Sequence, residues 1–99
     1  MNTLCISKAV KYWGDFFTEL RSDKIDGFKK DLIEFLEEEL NEGNTVILTT
    51  DWAPENILRN FLQKNDLPEK YFPKEAVMYI KTNEVTARES GKEVLRYPN

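Results

Sequence analysis

The sequence predicts an α+β fold in which helices come first and a small sheet follows. Three observations carry that expectation. Apolar residues recur at helical spacing from Val10 to Leu40, the β-branched run Thr45–Thr50 comes next, and apolar or alternating runs separated by short turns fill residues 76–97. With 99 residues, the chain is expected to form one domain, 1–99, because a typical domain takes ~100–150 residues.

The first segment runs from Thr3 to Arg21. Ser7 can cap a helix whose apolar positions are Val10, Trp13, Phe16, Phe17 and Leu20, with Gly14-Asp15 weakening its middle. The second helix, about Lys24 to Glu42, is the clearest element. Phe28, Leu32, Phe35, Leu36 and Leu40 share a face, Asp23 and Asp26 suit the positive N-terminal end, and Gly43 suits a position of positive φ after the last turn.

Thr45–Thr50 is apolar on both faces, which reads as an interior strand. Asp51-Trp52-Ala53-Pro54-Glu55 then opens a third helix with the stripe Pro54, Ile57, Leu58, Phe61 and Leu62, ending near Asn65. Leu67–Pro73 is a loop anchored by aromatics. Strands follow at Ala76–Lys81, Glu84–Glu89 and Glu93–Tyr97, with turns at Thr82-Asn83 and Ser90–Lys92. The order α-α-β-α-β-β-β contains a strand–helix–strand unit from Thr45 to Lys81. A right-handed crossover would make its two strands parallel, giving a mixed four-stranded sheet with the helices mainly on one face.

Composition excludes several chemistries. There is no histidine and a single cysteine, Cys5. His-based triads, Cys/His zinc sites and an intrachain disulfide are therefore outside this chain's means, and no catalytic set, metal site or cofactor is expected. Trp13 fits the first helix's stripe and reads as core. Met1–Ile6 lacks the basic region and apolar run of a secretory leader, and the apolar runs, Val46-Ile47-Leu48 and Ala76–Ile80 among them, are far short of the ~20 residues that span a bilayer. The expectation is a cytoplasmic protein with no membrane partner.

The formal net charge is −4, and it is uneven. Residues 1–63 hold seven basic and twelve acidic side chains, while residues 64–99 hold seven basic and six acidic. The acidity peaks at Glu34, Glu37, Glu38, Glu39 and Glu42, with no basic residue among them. Acids at a helix C-terminus are locally unfavourable. The leading expectation is a non-catalytic binding module, regulatory, adaptor or inhibitor, that docks a basic protein surface on these five glutamates.

Two alternatives stand beside it. The first is a small enzyme or ligand-binding domain centred on Asp51, with Trp52 and Glu55, where a strand end meets a helix; the plainer role for Asp51 is to cap that helix. The stretch Val46-Ile47-Leu48-Thr49-Thr50 through Leu67–Phe72 resembles the second motif of the haloacid dehalogenase-like phosphatases, an apolar strand ending in Thr or Ser, a helix and a Leu-aromatic loop. The family's nucleophile motif, two aspartates separated by one residue, occurs nowhere in this chain, so the resemblance implies no activity. The second alternative is nucleic-acid binding through the outer face of helix 54–64, Asn56, Arg59, Asn60 and Gln63, aided by Lys81, Arg88, Lys92 and Arg96. The net acidity weighs against it. The short last strand before Pro98 could also join a second copy by sheet extension.

Overall fold

The computed structural model describes residues 3–20, 22–51 and 54–98. Helix α1 spans Thr3–Gly14 and passes into a 3₁₀ turn at Asp15–Phe17. Helix α2 spans Ser22–Asn41, strand β1 Val46–Thr49 and helix α3 Asn56–Lys64. A 3₁₀ turn at Glu69–Tyr71 precedes strands β2 (Ala76–Lys81), β3 (Glu84–Glu89) and β4 (Lys92–Tyr97). The α+β class and the helices-first order are as expected. Ser7 is not a cap, because α1 starts four residues earlier and Ser7 sits exposed within it.

The sheet corrects the expected polarity. Its order is β1-β2-β3-β4 with every neighbouring pair antiparallel. β1 and β2 are not a parallel crossover pair, and β1 is an edge strand rather than an interior one. The physical reason lies in the segment between them. Thr50, at the exit of β1, donates its hydroxyl to the Pro73 carbonyl (2.7 Å) and accepts from the Ala76 amide (2.9 Å). Its own amide donates to the Ala76 carbonyl at 2.9 Å. The chain therefore re-enters the sheet beside the point where it left, and β2 must run back along β1.

One face of the sheet is closed by the helices. Val46 and Leu48 of β1, Ala76, Met78 and Ile80 of β2, and Val85 and Ala87 of β3 are buried with Cys5, Ile6, Ala9, Val10 and Trp13 of α1 and Phe28, Leu32, Leu36 and Leu40 of α2 in one contiguous cluster. The other face is open. There Ile47 pairs with Tyr79, Tyr79 with Thr86, and Thr86 with Arg96. Ile47 and Tyr79 are 49% and 45% exposed, so β1's two-sided apolar pattern does not mean burial on both sides.

An aromatic cluster locks the helical layer to the loop. The Phe72 ring lies 5.0 Å from Trp13, 5.1 Å from Phe17 and 5.8 Å from Phe16, centroid to centroid. Phe28 packs edge-on against Phe17 at 5.7 Å. Trp13 is fully buried, yet its Nε1 has no hydrogen-bond partner among the described residues. An orphaned donor costs about 1–3 kcal/mol. Burying an indole removes roughly 200 Å² of surface, worth about 5 kcal/mol, so packing outweighs the loss.

Asn65 ties α3 to α2. Its amide donates to Asp31 Oδ2 (2.8 Å) and to the Phe61 carbonyl (2.9 Å), and Lys64 Nζ reaches Asp31 Oδ1 at 3.2 Å. The Asn65 bond first, and Lys64 with it, hold the Asp31 carboxyl below its usual range. A carboxyl depressed on folding adds stability above its unfolded value that is lost as pH falls through the folded one. Asp31→Asn is therefore expected to destabilise the chain at neutral pH, and the gap from wild type should shrink as pH drops below about 4, as read by urea midpoints at several pH values.

Gly27, inside α2, lies under the same side chain: a Cβ there would overlap Asn65 Oδ1. Helix propensity alone favours Gly27→Ala by up to ~1 kcal/mol. Displacing Asn65 forfeits two hydrogen bonds at about 1 kcal/mol each, so the net expectation is a loss of about 1 kcal/mol. In an Asn65→Ala background the same substitution should become stabilising, and a thermal-denaturation double-mutant cycle reads that change of sign.

Candidate functional site

The five glutamates do not form one surface. At 100° per residue, Glu34 and Glu38 lie roughly 60° and 100° round the helix from Glu37, with Glu42 roughly 40° further on. Glu34, Glu38 and Glu42 are exposed, whereas Glu37 and Glu39 are half-buried. Glu37 lines a groove between α1 and α2, beside Ile6, Val10 and Ile33. Glu39 and Glu42 turn toward the end of the helix, where Asn44 Nδ2 donates to them at 2.9 and 3.4 Å. Gly43, with φ of 80°, makes the turn that brings Asn44 there.

Elsewhere, ion pairs neutralise acids locally. Lys11 meets Asp15, Lys24 meets Asp66, Arg59 meets Glu69, Lys64 meets Asp31, Lys81 meets Glu84 and Arg96 meets Glu93. None of these pairs involves Glu34, Glu37, Glu38, Glu39 or Glu42. Glu19, Asp26, Asp51, Glu55, Glu75 and Glu89 are likewise outside these pairs; residues 34–42 differ in holding five acids with no basic residue among them. No nucleophile or metal-binding constellation accompanies it: no group of three His, Cys, Asp or Glu side chains that could hold an ion occurs among the described residues.

The groove beside this charge holds about 530 Å³. Ile6 and Val10 of α1 and Ile33 of α2 give it an apolar floor, and Thr3, Ser7, Lys11, Asp15, Lys29 and Glu37 rim it. Lys11 Nζ is held by Asp15 at 2.6 Å. The Lys29 stem lies against Gly14, where a Cβ would overlap its Cε. Ile6 and Val10 are themselves core residues, each 4% exposed, so nothing in the sequence separates the floor of this groove from the core.

The Asp51 site is differently built from expectation. Asp51 does not cap α3, which starts only at Asn56 with Glu55 in the N-cap position. Glu55 makes no side-chain cap bond, and its amide donates back to the Thr49 carbonyl at 3.0 Å. Burial pushes the Glu55 carboxyl up, and its Oε1 has no partner among the described residues. Asp51 is exposed and lines a depression of about 280 Å³ on the open sheet face with Glu75, Val77, Tyr79, Arg88, Ser90 and Gly91. Glu55 does not line it, so the structure gives Asp51 a different carboxylate neighbour. Trp52 lies outside the described residues. The antiparallel sheet also removes the crevice that α/β folds form at the carboxyl ends of parallel strands.

Part of the third candidate surface is engaged within the fold. Arg59 on α3 reaches Glu69 at 3.7 Å, and α3 packs on α2. Arg88 donates to the Gly91 carbonyl at 2.9 Å, Lys81 pairs with Glu84, and Arg96 with Glu93. Asn56, Asn60 and Gln63 remain exposed.

The chain matches no protein-family model and no curated protein sequence. No helix among the described residues is long and apolar enough to cross a membrane.

The Thr50 clasp adjoins Asp51 and fixes where it sits. Thr50→Val keeps the shape but leaves the Ala76 amide and Pro73 carbonyl without their side-chain partner. The expected cost is about 2 kcal/mol, or roughly 10 °C in Tm for a domain of this length. An unchanged melting curve would remove the clasp from the fold's essential contacts.

Proposed function

We propose that this chain is a non-catalytic protein-binding module, acting in the cytosol, whose contact surface is the acidic C-terminal half of α2. The observation that carries the reading is the pattern of ion pairing. Six basic side chains are matched to acids elsewhere in the fold, while the glutamates of α2 are matched to none among the described residues. An unmatched acidic surface raises the association rate with a basic partner and disfavours acidic ones.

A second reading is favoured by the depression that gathers Asp51 and Glu75 beside Tyr79 and Arg88. It would bind a small ligand. Its volume of about 280 Å³ is below the ~300–1,000 Å³ usual for such sites, which places it second. Sheet extension through β4 has less support. That edge carries Lys92, Glu93 and Arg96, an irregular register near Ala87/Arg88, and Pro98 after its end, the devices by which sheets protect a free edge.

The test is retention of proteins from a cell extract on immobilised wild type and on the E34K/E37K/E38K variant, at low and high salt. Basic proteins held by wild type, released by salt and absent from the variant are the expected outcome. The same proteins on both surfaces would remove α2 as the contact.

A further inference from the structure

Resting on the small-ligand reading, we propose that the depression at the exit of β1 binds a free α-amino acid with a large apolar side chain. Strand register orders its lining. Thr49 pairs with Val77 and Val77 with Arg88, so one row crosses β1, β2 and β3 on the open face. Asp51 follows Thr49 by two residues and Glu75 precedes Val77 by two. Both carboxylates therefore stand toward the sheet end, where the Ser90 amide donates to the Glu75 carbonyl at 2.8 Å. Tyr79 lies two residues from Val77 in the other direction. Successive rows on one face are about 7 Å apart and neighbouring strands about 5 Å, spacings that a single amino acid spans.

The charges fix the ligand's chemistry. Asp51, Glu75 and Arg88 all line one depression, yet none of them enters an ion pair among the described residues. Arg88 Nη1 donates instead to the Gly91 carbonyl at 2.9 Å, which ties the guanidinium to the β3–β4 turn and uses one of its five donors. Opposite charges held apart in this way suit a bipolar ligand. Its ammonium meets Asp51 and Glu75. Its carboxylate meets Arg88 in the forked geometry that guanidinium groups favour, with the Ser90 hydroxyl as a further donor. Its side chain crosses Val77 to the ring of Tyr79, which is 45% exposed. Two carboxylates against one guanidinium leave the lining at 1 − 2 = −1, so a ligand with a carboxylate and no ammonium is repelled. A ligand with an ammonium and no carboxylate leaves Arg88 unmatched. The volume of about 280 Å³, small for most ligand sites, is ample for one amino acid.

The test follows backbone amide NMR signals of the full chain during titration with three probes: L-phenylalanine, phenethylamine and 3-phenylpropionate. Phenylalanine is expected to shift the Val77, Tyr79, Arg88 and Ser90 amides saturably, with an affinity at least fivefold above either other probe. D51N/E75Q should weaken phenylalanine and phenethylamine alike, at least tenfold, while R88Q should weaken phenylalanine alone. Unchanged amide signals on α1 and α2 show that each variant keeps its fold. Affinity for phenethylamine or 3-phenylpropionate equal to that for phenylalanine would overturn the amino-acid assignment and leave the small-ligand reading standing. No shift at these amides with any probe would overturn both.

Discussion

The hydroxyl of Thr50 settles more of this structure than any other single polar group. Among the described residues it is the one polar residue buried in the fold, and it joins the end of β1 to Pro73 and Ala76. The 26-residue excursion between these points must close on itself, so α3 and the following loop go out and return to one end of the sheet. That closure makes the sheet wholly antiparallel. It puts β1 at an edge, leaves one sheet face open with Ile47 beside Tyr79, and moves Asp51 from a helix cap to the rim of that face.

The same excursion delivers Phe72 into the rings of Trp13, Phe16, Phe17 and Phe28. Helix propensity alone would not hold α1, which is only 12 residues long and ends at Gly14 in a 3₁₀ turn. The rings supply the missing restraint, since they draw residues from α1, the 3₁₀ turn, α2 and the loop. With the sheet on one side of the helical layer and Phe72 at its end, the outer seam between α1 and α2 keeps a shallow groove whose floor residues Ile6 and Val10 are already buried. The groove is thus a consequence of where the chain's largest apolar side chains were used.

Element positions were legible in the sequence because they rest on local signals. The stripe Phe28–Leu40 with Gly43 after it marks α2, and alternation at Glu84–Glu89 marks β3. Sheet polarity was not legible. It depends on a hydroxyl meeting residues more than twenty positions away, and Thr50 reads locally as one more β-branched strand residue. Asp51 was misplaced for a related reason: a helix start at Pro54 is good local chemistry, yet the Glu55 amide is spent on Thr49 and the helix begins only at Asn56, two residues later. The glutamate run was visible as a count. That it faces the groove, the solvent and the Asn44 turn by turns was not, because direction on a helix acquires meaning only when neighbours are placed.

The energetics of α2 give the acidic surface its significance. Acids in the last turn of a helix, here Glu38 and Glu39, cost about 0.3–1 kcal/mol each at an exposed site, and like charges at i, i+4 such as Glu34 and Glu38 add a smaller penalty. Asn44 offsets part of this for Glu39 and Glu42. Glu34, Glu37 and Glu38 have no basic side chain set against them, although Lys29 and Lys30 lie within two turns on the same helix. A fold of this size has a margin of only about 5–15 kcal/mol, so an uncompensated cluster takes a measurable share. Opposite charge brought to that face would offset the repulsion among these glutamates.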